Sequence, residues 1–107
     1  MENSNRIMFL RASNGHPVGA IAIRLVKGKS VAKYQFSVLN PKDNFDRAVA
    51  RQLALGRLVE KPISVNLPEE ANMHDISGAV MADLSERSDA PSRAQKAASL
   101  WINKNLI

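Results

Sequence analysis

The sequence predicts an α+β fold, and three observations carry that expectation. Apolar residues alternate with a period of two through the first third of the chain, the period turns helical from Asn44, and proline and glycine punctuate the changes. The layout is βββ-α-β-α-α: a three- to four-stranded, mainly antiparallel sheet with the helices on one face. At 107 residues, 45% of them hydrophobic, the chain is expected to form a single domain, 1–107, with a core of its own.

Each element has its own signature. Arg6-Ile7-Met8-Phe9-Leu10-Arg11 is a short apolar run closed by the turn cluster Ser13-Asn14-Gly15. From Val18 to Val26, Ile21, Ile23 and Leu25 share one face, with Ala20, Ala22 and Arg24 on the other. From Val31 to Leu39, Ala32, Tyr34, Phe36 and Val38 lie opposite Lys33, Gln35 and Ser37. Lys27-Gly28-Lys29-Ser30 joins these two runs into a hairpin. Asn40-Pro41 then turns the chain, and Asp43 is placed to cap a helix with Asp46 in its first turn.

That helix gathers Phe45, Ala48, Val49, Gln52, Leu53 and Gly56 on an expected core face, with Arg47, Arg51 and Ala54 opposite. Gln52 on that face needs a hydrogen-bond partner if buried. Gly56 is a candidate C-cap, or a point of close approach to the sheet. After Lys61-Pro62, Ile63-Ser64-Val65-Asn66-Leu67 alternates as a short strand stopped by Pro68. Asp75 is placed to cap a second helix through Ile76, Ala79, Val80 and Leu84, which Gly78 weakens. Leu84 to Asp89 reads as a loop. Pro91 suits the first turn of a last helix, capped by Ser88 or Asp89 and striped with Ala94, Ala97, Ala98 and Trp101. Trp101 reads first as a core anchor and second as a partner-binding residue.

Composition narrows the function. With no cysteine, disulfides, thiol nucleophiles and cysteine-ligated metals are excluded. No apolar run reaches the roughly 18 residues of a membrane span. Met1-Glu2-Asn3-Ser4-Asn5 lacks the basic start and apolar stretch of a signal peptide, so the expected location is cytoplasmic. His16 reads as a turn residue. His74, Asp75 and Ser77 lie close in sequence, yet Asp75 is explained as a cap, and no second histidine stands at metal-ligand spacing. The glycines never approach a phosphate-cradling spacing. A non-enzymatic protein without cofactor or metal is therefore expected.

Charge is the remaining signal. Residues 1–61 hold eleven Lys/Arg against four Asp/Glu, a balance of +7, whereas residues 62–107 hold four against six, a balance of −2. Such asymmetry suits a polyanionic partner, although a net +5 is also ordinary for a soluble domain. Two surfaces are candidates for nucleic acid. Arg24 and Lys33 fall on the polar sides of the hairpin strands, with Lys27 and Lys29 at its tip. Arg47 and Arg51 stand one turn apart on the first helix, extended by Lys42 before it and Arg57 near its end. Aromatic residues make up only 5% of the chain, which argues against a base-stacking reader.

Ser37-Val38-Leu39-Asn40-Pro41-Lys42-Asp43-Asn44-Phe45-Asp46-Arg47, continued by Ala50-Arg51-Gln52-Leu53-Ala54-Leu55-Gly56-Arg57-Leu58, resembles a pattern of small phage and prophage accessory proteins. In that pattern a hairpin leads into Pro-Lys-Asp-x-Phe-x-Arg and a helix ending near Ala-x-Gly-Arg. The resemblance covers residues 18–60 and implies a mobile-element accessory protein in a bacterial host cytoplasm. It carries no catalytic or binding residues with it. Two functions follow as expectations: weakly specific or non-specific binding of DNA or RNA, or binding of a host protein that it inhibits or modulates. Homodimerisation through the first strand's edge or the last helix is compatible with either.

Overall fold

The computed structural model describes residues 5–26, 30–39 and 44–105. The expected order of elements stands: β1 (Asn5–Arg11), β2 (Pro17–Leu25), β3 (Val31–Val38), α1 (Arg47–Glu60), β4 (Ile63–Asn66), α2 (Met73–Ser85) and α3 (Ser92–Asn105). The strands form one antiparallel sheet in the order β1-β2-β3-β4, so the fold is α+β. Between β1 and β2, Gly15 takes a φ of 87°, a left-handed conformation that costs glycine little. The Asn14 side chain accepts from the His16 N–H there at 3.0 Å, which confirms His16 as a turn residue. No helix among the described residues is long and apolar enough to cross a membrane.

The helices do not share one face, contrary to expectation. Ile21, Ile23, Ala32 and Tyr34 pack with Ile76, Val80, Met81 and Leu84 of α2 and Ala94, Ala97 and Ala98 of α3. Ala20 and Ala22, of opposite parity on β2, pack instead with Ala50, Ala54 and Leu58 of α1. The sheet is thus the middle of three layers. The physical reason lies in β2, where both side-chain parities are apolar but one is large and the other small. Alanine adds little polarity to a face, and it lets a helix lie close.

α1 is also rotated from its expected setting. Its buried stripe is Ala50, Ala54 and Leu58, spaced by four, with Phe45 and Leu55 partly buried. Val49 and Leu53, expected in the core, are 44% and 41% exposed. Ala48, Gln52 and Gly56 are exposed as well. The alanine floor explains the choice: small residues on both sides bring the backbones together, and the Ser37 hydroxyl donates to the Ala50 carbonyl at 2.8 Å. Asp46 is the N-cap, accepting from the Ala48 and Val49 N–H groups, while Asp43 lies outside the described residues with Asn40, Pro41 and Lys42. Lys61, rather than Gly56, caps the C-terminus.

α2 starts with a capping box in which Asn72 is the N-cap and Asp75 its reciprocal partner, a shift from Asp75 as the cap itself. Its C-terminus is tied to the sheet. The fully buried Tyr34 donates its hydroxyl to Asp83 Oδ2 at 2.5 Å. Burial, reinforced by the Asp83 carboxylate, pushes the Tyr34 phenol far above its ordinary range. Arg87 bonds Asp83 and both carboxylate oxygens of Asp89, and its carbonyl accepts from Gln95. The network joins β3, α2 and α3, and its hydrogen bond to Arg87 holds the Asp89 carboxyl below its usual range.

Two stability tests follow. A Cβ at Gly19 would collide with the Ser37 carbonyl oxygen, whereas one at Gly56 meets nothing within 4 Å. Gly19→Ala is expected to cost about 1–3 kcal/mol, and Gly56→Ala, in an exposed helix interior, to stabilise by about 1 kcal/mol; urea titrations measure both. Asp83→Ala strands a buried hydroxyl and is expected to cost about 2 kcal/mol, against about 1 kcal/mol for Tyr34→Phe, which removes the hydroxyl itself. Equal losses would show that the carboxylate does not satisfy Tyr34.

Candidate nucleic-acid interface

Register places the side chains of the α1-side face in rows across the sheet. Phe9, Ala20 and Ser37 form one row, and Ile7, Ala22 and Gln35 the next. The third row is polar throughout: Asn5, Arg24, Lys33 and Ser64. α1 packs on the two alanine rows and stops there, where Gln35 Nε2 donates to the Lys61 carbonyl at 2.8 Å. The Arg24–Lys33 row therefore lies beyond the helix end. Arg24 and Lys33 are direct cross-strand neighbours. Like charges in that relation destabilise a sheet. Among the described residues neither has an ion-pair partner, since both pairs found involve Arg87.

The helix arginines lie elsewhere than expected. Arg47 meets β1 through Phe9, Arg51 stands one turn on, and Ala54, expected beside them in solvent, is buried. Both arginines remain exposed. The Arg47 guanidinium lies 5.2 Å over the Phe9 ring, and Phe9 meets Phe45 edge-on with centroids 6.0 Å apart. Such a cation–π contact contributes about 0.5–1 kcal/mol at an exposed site and leaves the charge available. Arg57 is partly committed: its NH1 donates to the Phe36 carbonyl at 2.9 Å. Lys27, Lys29 and Lys42 lie outside the described residues.

Lys61 is a further cation of the layer around α1 that sequence reasoning passed over, its position beside Pro62 giving no helical phase to place it. It stands exposed at the α1 terminus, next to the Arg24–Lys33 row through Gln35. The layer around α1 thus carries Arg24, Lys33, Arg47, Arg51, Arg57 and Lys61 against Asp46 and Glu60 among the described residues. The opposite layer carries Glu69, Glu70, Asp75, Asp83, Glu86 and Asp89 against Arg87, Arg93, Lys96 and Lys104, with Arg6 of β1 on the same face. The α1-side layer is therefore the basic one, and the charges of the opposite layer nearly balance. Tyr34 is buried on the other face and Phe9 is covered by Arg47 and Phe45, so this surface offers charge without a stacking platform. Among the described residues no cluster of three or more His, Cys, Asp or Glu is arranged to hold a metal.

Comparisons of the chain with known protein families, with curated proteins and with solved structures give no match.

The Arg24–Lys33 opposition makes a direct prediction. Lys33→Glu turns a repulsive cross-strand pair into an attractive one and is expected to raise stability by about 0.5 kcal/mol in urea titration. A loss instead would show that the carbonyl end of α1, one row away, holds the lysine in place.

Proposed function

We propose that this protein is a non-enzymatic accessory protein that binds nucleic acid through its α1-side basic layer, with weak or no sequence specificity. The observation that carries the reading is the Arg24–Lys33 row: two cations set directly opposite one another, past the end of the covering helix, with no carboxylate partner among the described residues. A run of phosphates relieves that repulsion, and Lys61, Arg51 and Arg47 extend the positive surface along α1. The missing aromatic platform favours backbone contact over base stacking. A mobile-element origin and a bacterial cytoplasm, implied by the resemblance over residues 18–60, belong to the same proposal. The second reading, a module that binds and modulates a host protein, is favoured by Val49 and Leu53, apolar side chains left half in solvent beside this charge.

Fluorescence anisotropy with a 20-base-pair duplex at 50 and 200 mM salt tests the reading. About three phosphate contacts give a log–log salt slope near −3. The Arg24→Glu/Lys33→Glu double variant is expected to flatten that slope by about 2, and Arg51→Glu by about 1. Salt-independent binding, or an unchanged slope in the double variant, would overturn it.

A further inference from the structure

Among the described residues the sheet ends in two edge strands, β1 and β4, and the main chain at the two ends is treated differently. The bonds from the Leu39 N–H to the Val18 carbonyl and from the Val26 N–H to the Val31 carbonyl fix the hydrogen-bonding parity of β2 and β3. With the β1–β2 register, that parity turns the main chain of Arg6, Met8 and Leu10 toward β2. The main chain of Ile7 and Phe9 then points outward. On β3 the outward residues beyond β4 are Phe36 and Val38, and Phe36 is capped twice: Gln35 Oε1 accepts from its N–H and Arg57 donates to its carbonyl. Among the described residues no side chain caps Ile7 or Phe9.

Beside this uncapped edge runs a groove of about 590 Å³ between β1 and α3. Its apolar walls are Met8, Leu10, Met81, Leu100 and Trp101. Phe9 also lines it, although its ring lies on the other face against Phe45 and Arg47. Phe9 therefore reaches the groove through its main chain. The charged lining residues are Arg11 and Lys104, and no carboxylate lines the groove. On the opposite side of the same edge stand Arg47 and Phe9, 5.2 Å apart.

We propose that the β1 edge accepts an extended, acidic peptide as a fifth strand, with its apolar side chains in the β1–α3 groove and its carboxylates on the other side of the edge, against Arg47. Main-chain bonds to Ile7 and Phe9 supply the pairing, and the alternation of an added strand matches a surface apolar on one side and cationic on the other. Pairing of two copies through this edge is disfavoured, because it sets two strands carrying Arg6 and Arg11 side by side without an acid among the described β1 residues. This surface shares Arg47 with the proposed nucleic-acid layer and does not include the Arg24–Lys33 row.

The test uses a capped octapeptide alternating leucine and glutamate, a leucine–lysine counterpart, and amide hydrogen exchange on the whole protein. Trp101 is the only tryptophan, so its emission reports groove occupancy. The leucine–glutamate peptide is expected to shift that emission saturably and to slow exchange at Ile7 and Phe9. The leucine–lysine peptide, and the exposed-site variant Leu100→Glu/Lys104→Glu with the original peptide, are each expected to bind at least about tenfold more weakly. Arg24→Glu/Lys33→Glu is expected to leave peptide binding unchanged. Equal binding of both peptides, no protection at Ile7 and Phe9, protection of those amides by duplex DNA, or their protection in a dimer formed without peptide would each overturn the proposal.

Discussion

Everything in this structure depends on a central hairpin strand that is buried on both sides with residues of two sizes. Ile21 and Ile23 are buried on one face of β2, and Ala20 and Ala22 on the other. Large side chains build a thick layer into which α2 and α3 interdigitate. Small ones build a floor on which α1 lies close enough for Ser37 to bond the main chain of Ala50. A sheet buried twice in this way needs helices above and below it, and the chain supplies them in sequence. α1 covers the alanine face before β4 closes the sheet, and α2 and α3 then cover the other.

The strands were legible because period-two alternation reports local geometry, and Ala32, Tyr34 and Phe36 fall on one face of β3 as their parity requires, although Ser37 of the other parity is buried as well. The setting of α1 was not legible. Read by itself, the helix offers Val49 and Leu53 as its greasiest stripe, and in isolation those residues lose most by facing water. The partner surface reverses the order. Against Ala20, Ala22 and Ser37 a large side chain holds the helix away from the sheet, whereas Ala50 and Ala54 allow contact over its length. Helix phase was thus decided by the shape of the opposing face, which no window of sequence around α1 contains.

The candidate site divides along the same line. Strand parity puts Arg24 and Lys33 on one face, but it leaves that face open, whereas α1 covers part of it, and their direct opposition needed the register. The joint exposure of Arg47 and Arg51 was legible, and their position beside the buried stripe was not, for the reason that governs α1. Arg57 shows a further limit. Its residue type marks it as a phosphate ligand, yet its bond to Phe36 makes it a guard of the sheet edge. The link from Tyr34 to Asp83 spans 49 positions and has no local signature at all.

The layering also explains why the cations around α1 stay unpaired by the carboxylates of α2. Because α1 and the helix pair α2–α3 occupy opposite faces, the change in charge balance after Lys61 falls close to where the chain crosses the sheet through β4. The core between the layers is apolar, so cations of one face and carboxylates of the other gain little from each other while each remains solvated. Helices gathered on one face would have brought the two sets within reach and let them neutralise by short ion pairs. Small residues on one side of β2 therefore do more than admit a helix: by putting α1 across the sheet from the carboxylates of α2, they leave its arginines without ion-pair partners among the described residues.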